Sequence, residues 1–567
     1  MKNKSFANIF KYSKKYIKIQ FFLLIPTVIA VLFPLIRPIV IKQFIDNILN
    51  KDIKIILSYV FLLLGIVVVE RLINFFSNNL LYKTINNISS KEKVSLFKKI
   101  FKLSLKDLKK YTSGDILSRV LQDTDELSQT ISIVYLVIFA NILQLISAAF
   151  LLFSFSYKLA IIAYSTLPLF YITSKLFDKK IKNSSINERK TNSVLIESFR
   201  EKLSGFKTII GFSKKDHFLN QFEDDSIKDK NAKNKLIFYT RAQDEFISFI
   251  YNLIPILILG IGGLLVQRKE ISLGTLIAFY SYIGWLNHPI QMLSNIVISV
   301  KKSKETLKRI EEIYNLPEDE HNGNDLLESI KNIELKNISF SYEDKEIIKN
   351  INLNIVSNNK YSIVGESGSG KSTLLNLLPL FYKDFSGNIF INNKNIKEYD
   401  INSLHKKILY VSQNEFILND TLKENIFFGD TFSEKDIKKA IEYSCINDFL
   451  PELEDGMKTV LGENGSNLSD GQKQRITIAR AIIRKPDLLI LDESTNAIDS
   501  KTEEKIFDSI SKIIPTIIII SHRLSTIKKA ENIIIINDGK VLSKGSHKDL
   551  LENCKEYSRN IESQLLH

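Results

Sequence analysis

Apolar positions fall unevenly along the 567 residues. Before residue 300 they gather in long runs, and a run of about 20 mainly apolar residues is enough to cross roughly 30 Å of hydrocarbon. The pattern predicts six spans, at about 19–40, 55–77, 130–153, 158–177, 246–267 and 272–300. Spans three and four are joined by a short Ser-Phe-Ser-Tyr connection, and five and six by Arg268-Lys269-Glu270. Between spans two and three, and again between four and five, the stretches 78–129 and 178–245 are long, charged and helical in pattern. Neither has strand alternation or a Gly/Pro-rich boundary, so both are expected to extend the membrane helices into water rather than to fold as separate domains. From about residue 330 the pattern changes to short β-rich runs (Ile-Glu-Leu-Lys-Asn-Ile-Ser-Phe-Ser-Tyr, 333–342), followed by alternating strands and helices. That is the pattern of an α/β domain with a mainly parallel core sheet. The expected organisation is a membrane domain over 1–305, a turn-rich linker over 306–329 and a second domain over 330–567.

Charge adds an orientation. The chain holds 77 Lys+Arg against 63 Asp+Glu, a net +14. Such basicity suits a nucleic-acid surface, but the lysines crowd around the apolar runs, as cytoplasmic loops do, and no nucleic-acid partner is expected. Residues 1–18 carry six lysines and no acidic residue. They are expected to stay in the cytoplasm, with the first span an uncleaved anchor, and six spans then return the chain to the cytoplasmic side. The two cysteines, Cys445 and Cys554, build neither a disulfide framework nor a Cys/His metal site. No cysteine-protease domain is expected ahead of the membrane part, and no 20–50-residue repeat is visible.

The second domain carries the chemistry. Residues 365–372, Gly-Glu-Ser-Gly-Ser-Gly-Lys-Ser, fit the phosphate-loop pattern G-x-x-x-x-G-K-[ST]. A short apolar strand (361–364) precedes the loop, and an apolar helix beginning at Thr373 follows it. In that context Gly365, Glu366, Ser367, Gly368, Ser369 and Gly370 would turn backbone N–H groups toward phosphate oxygens. Lys371 would meet the β- and γ-phosphates and Ser372 a Mg²⁺ ion. Downstream, Leu488–Leu491 reads as a buried strand delivering Asp492 and Glu493 at its end, 121 residues past Lys371 in the case of Asp492. A parallel sheet places catalytic groups at that edge. Asp492 suits Mg²⁺, and Glu493 suits a general base that polarises water. Between the two motifs, Leu468-Ser469-Asp470-Gly471-Gln472 opens a helix, with Ser469 as its N-cap.

With these motifs in hand, the chain resembles the exporter-type half-transporters of the ABC family along essentially its full length. The resemblance implies an all-α six-helix transmembrane domain fused to an α/β phosphate-loop nucleotide-binding domain with a helical subdomain. It implies ATP and Mg²⁺ as cofactors. Tyr342 matches the aromatic that stacks on adenine, and Gln413 the glutamine that meets Mg²⁺ and the water. Leu468–Gln472 matches the signature that closes on ATP held by the partner subunit. Ser469, Gly471 and Gln472 are its nucleotide-facing positions, and Thr373 extends the phosphate loop. Asp499 matches the aspartate that communicates across the dimer. His522 matches the switch histidine on the γ-phosphate, and Gly462–Gly465 the segment ahead of the signature that meets cytoplasmic loops.

Two positions depart from the family pattern. Asp470 stands where glycine is usual, with its side chain expected to point away from the nucleotide, and Asn496-Ala497-Ile498-Asp499 keeps the aspartate. One chain holds one loop and one signature, so a dimer is expected. A homodimer is favoured, with a heterodimer containing a degenerate partner as the alternative. The expected activity is ATP hydrolysis coupled to export of an amphipathic or hydrophobic compound (drug, lipid or small peptide) across the cytoplasmic membrane by alternating access. Alternatives are a dedicated peptide or bacteriocin exporter, an exporter-fold importer of a metal chelate, and a soluble ATPase acting on nucleic acid, which the spans disfavour. Candidates for substrate contact are Arg37, Glu70, Arg71, Trp285, Asn287 and His288.

Overall fold

The computed structural model describes residues 12, 14–48, 53–165, 167–319, 321, 323–343, 345–413, 415–493, 495, 497–521 and 523–558. It divides into two compact units, one made of residues up to 99 together with 113–315, the other of 100–112 together with 316 onward.

The first unit is helical. Helix α1 (Ile17–Leu32) and helix α2 (Ile36–Asn47) are joined by a 3₁₀ turn at Phe33-Pro34-Leu35. Helix α3 follows (Ile53–Ile100), then α4 (Thr124–Phe155), α5 (Leu167–Ser204), α6 (Lys215–Gln267) and α7 (Leu273–Tyr314). At 1.5 Å per residue, the 53 residues of α6 reach about 80 Å, well over twice the hydrocarbon thickness. The polar stretch 178–245 therefore does extend the helices past the apolar zone. The stretch 78–129 does so only to Ile100, where α3 ends and the chain crosses into the other unit. The expected connection between spans three and four shrinks to one extended residue, Ser156, which caps the helix Tyr157–Tyr164.

Four helical stretches among the described residues are long and apolar enough to cross a membrane: Lys14–Asn47, Ile53–Ile100, Ser113–Phe155 and Lys215–Gln267, with Leu273–Gly284 a shorter apolar helix. Phe21, Phe61 and Phe150 stand exposed on them, as lipid-facing side chains do. Inside, α7 lies against α4 and α2, α1 against α4, and α5 against α6. Leu152, Leu159, Ile258, Phe279 and Tyr282 form a buried core, and the Tyr282 hydroxyl donates to the Leu35 carbonyl. Asp46 on α2 accepts from Ser272 Oγ and from the Gly274 N–H at the start of α7, both at 2.9 Å.

The second unit holds two sheets. An antiparallel one runs β2 (Lys345–Val356), β1 (Asn332–Tyr342), β4 (Ser386–Ile391), β5 (Lys394–Asn395). The other has six strands in the order β10 (Lys540–Gly545), β9 (Asn532–Asn537), β3 (Lys360–Val364), β8 (Thr516–Ile520), β7 (Leu488–Asp492), β6 (Ile408–Val411). All its pairings are parallel except that of β10 with β9. Strands β7 and β8 are buried at every position, so their runs of Leu and Ile serve two cores at once. Leu488, Ile490, Ile518 and Ile520 face one core, shared with helix α8 (Lys371–Leu377). Leu489, Leu491, Ile517 and Ile519 face the other, shared with helix α9 (Asp470–Arg484). Alternate strand residues point to opposite faces, which places α8 and α9 on opposite sides of the sheet.

Candidate nucleotide site

Strand β3 ends at Val364, and the chain turns through Gly365–Gly370 into α8. Two glycines are required by geometry. A Cβ on Gly365 would lie 2.0 Å from the Ile536 carbonyl oxygen, and Gly370 caps α8 at φ +101°, a conformation side chains disfavour. The Lys371 ammonium is buried within the turn and donates to the carbonyls of Gly365 (2.9 Å) and Glu366 (2.8 Å). Burial holds its pKa below the ordinary lysine value, opposed by the charges of Glu493 and Asp492.

The end of β7 meets this loop. Ser372 Oγ donates to Asp492 Oδ1 at 2.9 Å, and the Tyr410 hydroxyl donates to Oδ2 of the same carboxylate. Burial, and after it the bond to Asp492, push the Tyr410 phenol far above its usual value. Glu493 lies at φ +49° with its N–H on the Ile520 carbonyl at 3.2 Å, and its Oε2 accepts from Gln413 Nε2 at 3.3 Å. Ser372, Asp492, Gln413 and Glu493 are thus brought together beside Lys371. Among the described residues no group of three His, Cys, Asp or Glu side chains could hold a metal by itself. One hydroxyl and one carboxylate are instead a sparse oxygen set that would hold Mg²⁺ only together with phosphate oxygens.

Tyr342, at the end of β1, packs edge-on against Phe340 (4.9 Å between centroids) and Tyr382 (5.3 Å). Burial raises its phenol to about 12. The segment 100–112 reaches the same aromatics: Lys109 Nζ lies 5.6 Å from the Tyr342 ring centroid and donates to the Tyr382 hydroxyl at 2.6 Å. Beside it, the short helix Leu105–Leu108 is capped by Ser104, and Lys106 pairs with Asp384 at 3.0 Å.

The predicted signature opens α9 with a reciprocal cap. Ser469 Oγ accepts the Gln472 N–H at 3.3 Å, and Gln472 Oε1 accepts the Ser469 N–H at 2.8 Å. The Asp470 carboxylate is exposed and pairs with Lys473 at 3.3 Å, one turn along the helix. Gly471 comes close to the Ala497 carbonyl, where a Cβ would lie at 2.8 Å. Asp499 caps helix α10 (Ser500–Ser511) by accepting the Thr502 N–H at 3.0 Å, and the Thr502 bonds hold its carboxyl below the ordinary range. His522 and Asn496 lie outside the described residues.

Several site residues escaped the motif reading. Tyr410 orients Asp492, and buried Gln474 accepts the Ala497 N–H at 3.0 Å, tying α9 to the segment ahead of Asp499. Neither lies within the motifs named from the sequence, although Gln474 stands two residues past the signature. In the first unit Arg37 faces Glu70 at 3.8 Å and Arg71 is exposed, while the side chains of Trp285, Asn287 and His288 lie outside the described residues.

Residues 20–290 match the family described as the ABC transporter transmembrane region, and residues 348–496 the family described as ABC transporter. The chain is 32% identical to a provisionally named export ATP-binding/permease protein of Rickettsia bellii, covering 91% of this chain and 92% of that one. It is 27% identical to the ATP-dependent lipid A-core flippase of Photobacterium profundum, covering 94% and 92%. Among solved structures it resembles a bacterial Atm1-family ABC exporter with ATP bound, at TM-score 0.79 and 22% identity, over 97% of this chain and 98% of that one.

Proposed function

The chain belongs to the ABC transporters that fuse a helical membrane region to an ATP-binding domain, and from that premise we propose that it exports an amphipathic or hydrophobic compound, a lipid before a drug or small peptide. It is a multi-pass membrane protein whose transport is coupled to ATP hydrolysis, and it works as a dimer; our reading is a homodimer with six crossings per chain. The observation that carries the reading is the placement of α8 and α9 on opposite faces of one sheet. A phosphate loop and a signature so separated are suited to face different ATP molecules, each completed by a second copy. The lipid preference rests on the flippase relatives and on the exposed apolar side chains of the long helices.

In this reading Tyr342 stacks on adenine, and Gly365–Gly370 with Lys371 and Thr373 cradle the phosphates. Ser372, Gln413 and Asp492 would hold Mg²⁺, whose charge would neutralise the phosphate oxygens. Glu493 polarises the attacking water, with Gln413 at 3.3 Å fixing its carboxylate. His522 meets the γ-phosphate. Ser469, Gly471 and Gln472 close on the ATP of the other chain, and Asp499 faces the same junction. Only the closed dimer binds the γ-phosphate from both sides, so ATP biases the gate one way and hydrolysis releases it.

Reconstitution into liposomes tests the substrate. ATP-dependent movement of a fluorescent phospholipid between leaflets, abolished by Lys371→Ala, is the expected result. Lipid movement at the rate of empty liposomes, alongside ATPase stimulated only by a peptide or a metal chelate, would overturn the lipid reading.

A further inference from the structure

One buried carboxylate links the two strand exits on which the proposed hydrolysis depends. Glu503 lies in the first turns of α10 and is 2% exposed. Its Oε1 accepts from the hydroxyls of Thr495 and Thr526, each at 2.9 Å, and its Oε2 accepts from Arg523 at 2.5 Å. Thr495 stands two residues past Glu493 at the exit of β7. Arg523 and Thr526 belong to the segment leaving β8, which also carries residue 522. The exits are joined once more where the Glu493 N–H meets the Ile520 carbonyl.

A buried carboxylate is costly unless every oxygen is satisfied, and apolar packing often stabilises a core equally well. Bulk stability therefore gives little reason for a charge at this place. Orientation gives a better one: three donors from two loops converge on one rigid acceptor and fix the loops relative to each other. Displacements near 1 Å in a catalytic group cost rate far more than they cost binding.

We propose that Glu503 is a positioning residue for ATP hydrolysis, holding the Glu493-bearing exit of β7 in register with the 521–526 segment. The inference rests on the reading of Glu493 as the group that polarises water.

Glu503→Gln in the full-length transporter is the test. The amide has a single acceptor oxygen, so it can accept from the two threonines or from Arg523 but not from all three, and the charge that holds Arg523 is lost with little change in volume. The expected result is a kcat at least 10-fold lower, with KM and the affinity for a non-hydrolysable ATP analogue within twofold of wild type and an unchanged unfolding midpoint. Glu503→Asp should recover part of the rate, and Glu503→Gln combined with Arg523→Gln should lose no more than the worse single variant. An unchanged kcat overturns the proposal, as does a fall in kcat matched by equal losses in nucleotide affinity and unfolding midpoint. If Glu503→Gln does not fold, Thr526→Val reads the same tether, with a kcat at least 3-fold lower at unchanged affinity supporting it and an unchanged kcat overturning it. Glu493→Gln, measured in parallel, separates the two ideas. Wild-type hydrolysis there defeats the reading of Glu493, whereas an inactive Glu493→Gln beside a fully active Glu503→Gln defeats this inference alone.

Discussion

Glu493 occupies a backbone conformation that few non-glycine residues adopt, φ +49°, directly after a strand buried along its whole length. Such a conformation costs on the order of 1 kcal/mol and persists where the surroundings enforce it, often at functional sites. Here it turns the side chain toward Gln413 and away from the strand path. Glu493→Gln keeps shape and the bond to Gln413 but removes the carboxylate proposed as the base. Hydrolysis should fall about 10²–10⁴-fold while ATP stays bound, checked by phosphate release against retained radiolabelled nucleotide. Retained hydrolysis would return the base role to another group. The motif residues were legible because phosphate chemistry fixes their spacing along the chain: Gly365 to Ser372 is one continuous turn. Tyr410, Gln474 and Glu503 were not, since each acts from a different element and only folding brings it to its partner. Asp470 could be read only in outline, and the structure turns it along α9 to Lys473.

Among the elements, the strands were legible for a simple reason. An unbroken Leu/Ile run of four inside a strand is satisfied only between two cores, and β7 (Leu488–Leu491) and β8 (Ile517–Ile520) show it. Ile490→Ala removes a fully buried side chain there and should cost about 2–5 kcal/mol, seen as a lower unfolding midpoint of the ATP-binding domain. The segment 100–112 was not legible. Its Leu-Lys-Asp-Leu-Lys-Lys pattern continues the helical period of α3, and only tertiary contact shows that it leaves the membrane unit for the other. The chain enters this segment from α3 and returns to the membrane unit at Ser113, and within it Lys109 and Lys106 hold Tyr382 and Asp384. Lys109→Ala deletes the bond to Tyr382 and the charge over the Tyr342 ring. ATP hydrolysis should persist within about threefold, while substrate moved per ATP in proteoliposomes falls several-fold. A parallel loss of both would mean that Lys109 only supports nucleotide binding.

At the scale of the whole molecule, the sheet that separates α8 from α9 argues for sites shared between copies. Mixing two crippled chains distinguishes shared from self-contained sites. Lys371→Ala disables the loop and spares the signature; Ser469→Arg does the reverse by placing a bulky cation where Ser469 caps α9. Each variant alone should be inactive under either arrangement. In a mixed dimer with self-contained sites, every site keeps one defect and the mixture stays dead. With shared sites, one position combines both defects and the other combines the intact loop of one chain with the intact signature of its partner. Random assembly at equal amounts makes about half the dimers mixed, so about a quarter of all sites should trap ATP. Recovery of ATP trapping after co-expression, against none after mixing the separately purified homodimers, is the expected outcome. Co-expressed chains as inactive as either parent would place loop and signature within one chain's own site and remove the reason for a dimeric gate.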